Sequence, residues 1–156
     1  MYVLRDILQF STNLSQAISF LQNAQRTYQI YLGIGSRDDN ELRGFQYTYK
    51  DLYVYSDKNW SQPFTPAHPQ MDGILYWDMV RDPNADCFSS IFKEYYGKID
   101  AETLYRIAAP QDKTGDTLLA VYDFGNNGIY LSYSHHETRT PAYVRPRIYL
   151  NMTQIF

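Results

Sequence analysis

Cys87 is the single thiol in a chain of 156 residues, which excludes an intrachain disulfide and every multi-cysteine metal site. A thiol becomes a nucleophile when a base stands beside it and a third group orients that base. Cys87 follows Asp86 at the start of a helix-like run, with no obvious base next to it, and His68 is far off in a proline-rich loop. That context suits a buried helical thiol better than a catalytic one. His135 and His136 are adjacent, so on a strand they point to opposite faces and read as polar residues at a strand end. The histidines therefore form no metal cluster, and neither a metal nor any other cofactor is expected. The net charge of −3, with 14 scattered Lys and Arg, argues against a phosphate-tracking groove and so against nucleic acid as a partner.

The sixteen tyrosines are the compositional anomaly. Many fall in alternating stretches, Phe45-Gln46-Tyr47-Thr48-Tyr49 and Leu52-Tyr53-Val54-Tyr55, as expected for strands with one half-wet face. Sheet packing explains most of them, and a stacking surface for a ligand would need an exposed aromatic row.

These residues must be held by elements that the sequence punctuates clearly. Leu4, Ile7 and Leu8 begin an amphipathic pattern that Leu14, Ala17, Ile18 and Leu21 continue after Ser11-Thr12-Asn13. Tyr28 to Gly35 reads as a strand, 37–40 as a turn and Glu41 to Tyr55 as one or two more strands. A proline-rich loop over 61–72 leads to a short apolar run from Ile74 to Val80, then a helix from Asp86 to Tyr96 ending at Gly97. Asp100 is a good N-cap for a helix carrying Ala101, Leu104, Tyr105 and Ala108, which should stop near Pro110. Thr117–Phe124 and Ile129–Ser134 flank Gly125-Asn126-Asn127-Gly128, the signature of a hairpin with a tight primed turn at Asn-Gly. Tyr143 to Asn151 supplies a last strand. The expectation is one α+β domain over 1–156, its antiparallel sheet joining 28–55 and 117–150, with no visible repeat or domain boundary. No stretch approaches membrane-spanning length, and Arg5-Asp6 interrupts any N-terminal signal. Sequons begin at Asn13, Asn59 and Asn151.

The opening YVLRDILQFSTNLSQAISFLQNA with the strand YQIYLGIG resembles the helix-helix-strand passage in the C-terminal half of acid ceramidase and the penicillin acyltransferase-like proteins. The later order is similar too: Asn59-Trp60 after a tyrosine-rich strand, His68-Pro69 in the next loop, Arg81 before the helix bearing Cys87, a second helix and a terminal hairpin. The resemblance implies part of a four-layer α-β-β-α sandwich in an N-terminal-nucleophile hydrolase or acyltransferase. Such precursors cut themselves before a cysteine whose freed amine then serves as the base for its own thiol. It also implies that Asn59 donates to the oxyanion of the tetrahedral intermediate and that Arg81 helps to shape the pocket. Met1 has no nucleophilic side chain, so the expected reading is a C-terminal segment or subunit, inactive alone. Its expected partners are a nucleophile-bearing N-terminal segment and a small N-acyl substrate, with self-association through any bare sheet face, in a lysosomal or secreted setting. The alternative from another class is a non-catalytic binding module with a tyrosine-rich sheet surface. An exposed apolar sheet face separates the two, because half a sandwich leaves uncovered what its other half buries.

Overall fold

The structure, a computed structural model, describes residues 2–59, 66, 68–76 and 87–155. It is α+β, with helices and two antiparallel three-stranded sheets, so the segments 28–55 and 117–150 belong to two sheets instead of the one expected. The chain divides into two compact units, Met1–Leu75 and Tyr76–Phe156.

In the first unit, α1 (Tyr2–Phe10) and α2 (Leu14–Asn23) precede β1 (Ile30–Ser36), β2 (Glu41–Tyr47) and β3 (Leu52–Tyr55). Asn13 keeps an extended backbone and accepts the Gln16 N–H at 2.9 Å, which caps α2. Asp39, in the turn after β1, accepts the Leu14 N–H at 2.7 Å, so the same helix start is also tied to the hairpin. The pairings Leu32 with Phe45 and Phe45 with Val54 place these side chains on one sheet face. Ile7, Ala17, Leu21, Phe45 and Tyr47 form the core there. Leu8, expected to join α1's apolar face, is 86% exposed; only Ile7 of that trio is buried.

In the second unit, α3 (Cys87–Glu94) ends ahead of Gly97, whose φ of 76° leaves the helical region. Asp100 then caps α4 (Ala101–Thr103), accepting the Thr103 N–H and hydroxyl at 2.7 Å each. The helix does not stop near Pro110. It widens into a π turn over Leu104–Ala108 and resumes as α5 (Ala109–Asp112). In α-helical register the Pro110 ring would strike the carbonyl four residues back. The Ala109 N–H instead reaches the Leu104 carbonyl five residues back, and this wider turn accommodates the ring. The helix closes at Lys113 (φ 52°), where the Thr114 N–H meets the Ala109 carbonyl at 3.0 Å and the Lys113 N–H the Pro110 carbonyl at 3.3 Å.

The second sheet has the order β4 (Leu118–Asp123), β5 (Gly128–Tyr133), β6 (Ile148–Asn151), so the second arm of the expected hairpin is central. Its turn differs from expectation. Asp123 pairs with Gly128 across a four-residue loop, and the Asp123 carboxylate accepts both the backbone and side-chain N–H of Asn126 at 3.0 and 2.8 Å. This local side-chain turn replaces the two-residue primed turn, and within the loop the positive φ falls to Asn127 (49°). The last strand is also shorter than expected. Ala142–Val144 forms a 3-10 turn between Pro141 and Pro146, which lack the N–H a ladder requires.

Both units run helix, helix, strand, strand, strand, a repetition that the residue identities conceal. The N-caps Asn13 and Asp100, the turn acceptors Ser36 and Asp123, and the left-handed Asn40 and Asn127 are equivalent in role. Each stands 87 residues from its counterpart (13 and 100, 36 and 123, 40 and 127), as do the inward-facing Leu32 and Leu119.

Hydrogen bonds to Leu14 and Ser36 hold the Asp39 carboxyl below the ordinary aspartate range, and bonds from Thr103 do the same for Asp100. A lowered folded-state value stabilises the fold above the unfolded value of about 3.9, and that contribution is lost as pH falls through the folded value. Thermal unfolding followed by circular dichroism should therefore show Asp39→Asn and Asp100→Asn less stable than the parent at pH 7. The gap should close as the pH is taken below about 3.9; a gap that is constant with pH would contradict this.

Candidate functional site

Of the two positions singled out by resemblance, the structure describes Asn59. Asn59 closes a turn after β3: its Oδ1 accepts the Ser56 N–H at 2.7 Å and hydroxyl at 2.8 Å, and its Nδ2 donates to the Val54 carbonyl at 3.2 Å. Arg81 lies outside the described residues. Cys87 opens α3 and His68 is buried. His135 has a local task, its Nδ1 accepting the Thr138 N–H at 3.2 Å in a tight turn. Among the described residues no group of three or more His, Cys, Asp or Glu is placed to hold a metal, and no helix is long and apolar enough to cross a membrane. The three sequon asparagines all close turns or helix ends with their side-chain oxygens: Asn13 on Gln16, Asn59 on Ser56 and Asn151 on Thr153.

A different constellation appears in the second unit. A hollow of about 580 Å³ opens beside the π turn, walled by Tyr105, Tyr130, Tyr143 and Tyr149 with Arg106 and Arg147. Pro110 lines it and accounts for the placement of Arg147. Because the Leu104 carbonyl is satisfied by Ala109, the next carbonyl in the widened turn, Tyr105, would need its donor from position 110, which has no N–H. Arg147 supplies it: Nη2 donates to the Tyr105 carbonyl and, at 2.9 Å, to the Tyr143 carbonyl. The guanidinium carbon lies 4.8 Å from the centre of the Tyr105 ring, within cation–π range. Nε is buried without a partner.

The rings of Tyr105, Tyr130 and Tyr149 continue this arrangement as a row with successive centroid distances of 5.0 Å. Tyr130 and Tyr149 are directly paired across β5 and β6, and Tyr149 lies over Gly128, where a Cβ would collide with its ring. Desolvation raises the Tyr130 phenol above the ordinary tyrosine value, with Tyr105 and Asp123 adding to the shift, so it remains a neutral hydrogen-bonding group at physiological pH. None of these residues forms a sequence motif. The usable signal was Pro110 inside a helical period, which implies an orphaned carbonyl and a donor elsewhere.

The second sheet carries a further surface on its far side. Leu119 and Val121 face the helix, packed with Ala109 and Ala142. The other face holds Leu118, Ala120 and Tyr122 on β4, Ile129, Leu131 and Tyr133 on β5, and Ile148 and Leu150 on β6, with no charged residue among them. Leu118, Tyr122, Tyr133 and Ile148 are 46, 60, 58 and 63% exposed.

Two proteins of Dictyostelium discoideum are similar to this chain over 99% of its length: protein dcd1A at 30% identity and protein dcd1B at 31%. The chain spans 38% of the first protein's length and 34% of the second's. No family model matches the chain, and no solved structure matches it.

If Arg147 serves the carbonyl that Pro110 leaves orphaned, Arg147→Met should cost about 1 kcal/mol, the low end of the penalty for an unsatisfied acceptor, because the bond is only part-buried. Pro110→Ala restores a donor at that position. Urea unfolding should show a smaller loss for Arg147→Met in the Pro110→Ala background than alone; equal losses would exclude the coupling.

Proposed function

We propose that this chain is a segment of an autoprocessed amide-bond hydrolase or acyltransferase of the acid ceramidase and penicillin acyltransferase-like type, acting on N-acyl substrates. The nucleophile then comes from another segment, and this one supplies scaffold and oxyanion support. The observation that carries the reading is the open apolar face of β4, β5 and β6. In an α-β-β-α sandwich each sheet bears helices on one face and buries the other against a second sheet. A face without a single charge, with four large side chains about half exposed or more, fits a layer that another sheet covers. The greater length of the Dictyostelium proteins also supports it, since the matched region there is part of a longer polypeptide.

Within this reading Asn59 is the oxyanion donor and Arg81 shapes the pocket. The Asn59 oxygen is engaged by Ser56, which fixes the side chain. One amide proton goes to Val54, and the second has no protein partner among the described residues. A preorganised donor of this kind is worth roughly 3–4 kcal/mol in a transition state.

A specific observation favours the second reading, a binding module. The tyrosine hollow is of ligand size and is formed within one unit by described residues alone.

Two outcomes are expected. The purified 156-residue chain should hydrolyse no N-acyl amide or ester; turnover that vanishes on Cys87→Ala would instead establish a cysteine enzyme. In sedimentation velocity the chain should self-associate as concentration rises, and Ile148→Lys, a charge on the edge strand β6 at an exposed position of the bare face, should shift it to monomer. A parent that stays monomeric would remove the observation on which the hydrolase reading rests.

A further inference from the structure

We propose that the hollow beside the π turn binds a monoanionic carboxylate with a flat apolar body, anchored by Arg147 and flanked by tyrosine rings. The inference rests on the second reading above, that the hollow is a ligand site, and adds the chemical class of the ligand. Charge argues first for an anion. The lining contains two arginines and no Asp or Glu, in a chain whose net charge is −3. Arg106 is matched by Glu102 at 3.0 Å, whereas among the described residues Arg147 forms no ion pair and hydrogen-bonds to backbone carbonyls. Its charge is therefore uncompensated by any acidic side chain among the described residues.

Geometry argues next for a fixed anchor. Two carbonyls and the Tyr105 ring hold the guanidinium in one orientation, so a ligand would not bear the cost of ordering it. Nη1 has no protein partner among the described residues, so the group retains donor capacity, whereas Nε is buried and out of a ligand's reach. One unpaired arginine matches one negative charge. A phosphate dianion would require a second cation, and Arg106 is already engaged. The body of the ligand follows from the walls: tyrosine rings and prolines around about 580 Å³, the volume of a small-molecule site, fit a planar apolar group.

The test uses the full chain with 2-naphthoate and, as a neutral isostere, 2-naphthamide, titrated by calorimetry at low ionic strength. Naphthoate should bind at least about tenfold more tightly than naphthamide, the factor a charge-assisted hydrogen bond supplies. Val144 lines the hollow and is 56% exposed, so Val144→Glu adds a negative charge without removing core packing. It should weaken naphthoate at least about tenfold more than it weakens naphthamide. Equal affinity for the two probes would overturn the carboxylate assignment while leaving a ligand site in place. Failure of both to bind would overturn the ligand site itself. Naphthoate binding indifferent to Val144→Glu would put the ligand elsewhere and overturn the proposal.

Discussion

An unsatisfied backbone carbonyl organises much of the second unit. Pro110 cannot donate, the helix widens around it, and the Tyr105 carbonyl is left for Arg147. The guanidinium that answers this need also lies over the Tyr105 ring, which begins the row through Tyr130 to Tyr149, and the hollow lies along that row. The first unit solves a related problem in the same way. Arg26 donates to the Leu21 and Gln22 carbonyls at the end of α2 and to the Lys50 carbonyl at 2.9 Å, with its guanidinium 5.7 Å from the Tyr47 ring centre. In each unit one arginine joins the second helix to another segment through backbone oxygens and one tyrosine face. Removing Arg147 would leave two part-buried carbonyls without this donor, whereas two of the three carbonyls that Arg26 serves are exposed to water.

What was legible in the sequence was chemistry confined to a few consecutive residues. Asp100 as an N-cap, Gly97 after α3, and the strand pairs around 37–40 and 125–128 depend on local dihedral and hydrogen-bonding preferences, and they form. Features set by competition between local options were misread. Asn-Gly favours a primed turn, but Asp123 offers the backbone a side-chain acceptor and wins. Proline normally ends a helix, but a π turn and a remote arginine make continuation possible. Arg147 itself is 42 residues from the carbonyl it serves, so no window of sequence could connect them. The turn that Asn59 closes on Ser56 follows from a side-chain habit common to asparagine.

The repetition of the two units shows why similarity of role can escape comparison of letters. Asn13 and Asp100 both present an oxygen to a helix start, and Ser36 and Asp123 both present one to the backbone three residues on. The physical requirement is an acceptor at a fixed position, which several residue types meet. The left-handed position is more demanding, and asparagine stands there in both units. The faces away from the helices differ more: β1 to β3 carry glycines and tyrosines there, while β4 to β6 carry an unbroken apolar surface.

The sequon asparagines bear on how this chain could be decorated. Asn13, Asn59 and Asn151 each use the carboxamide oxygen to hold a turn or helix end, whereas a sugar attaches to the carboxamide nitrogen. The two demands fall on different atoms of the same group. Even Asn59, whose nitrogen donates to Val54, has a second proton to exchange for a glycan. Carbohydrate on these nitrogens would thus leave the acceptor oxygens of the caps in place, while at Asn59 a glycan and the proposed oxyanion contact would compete for the same amide proton.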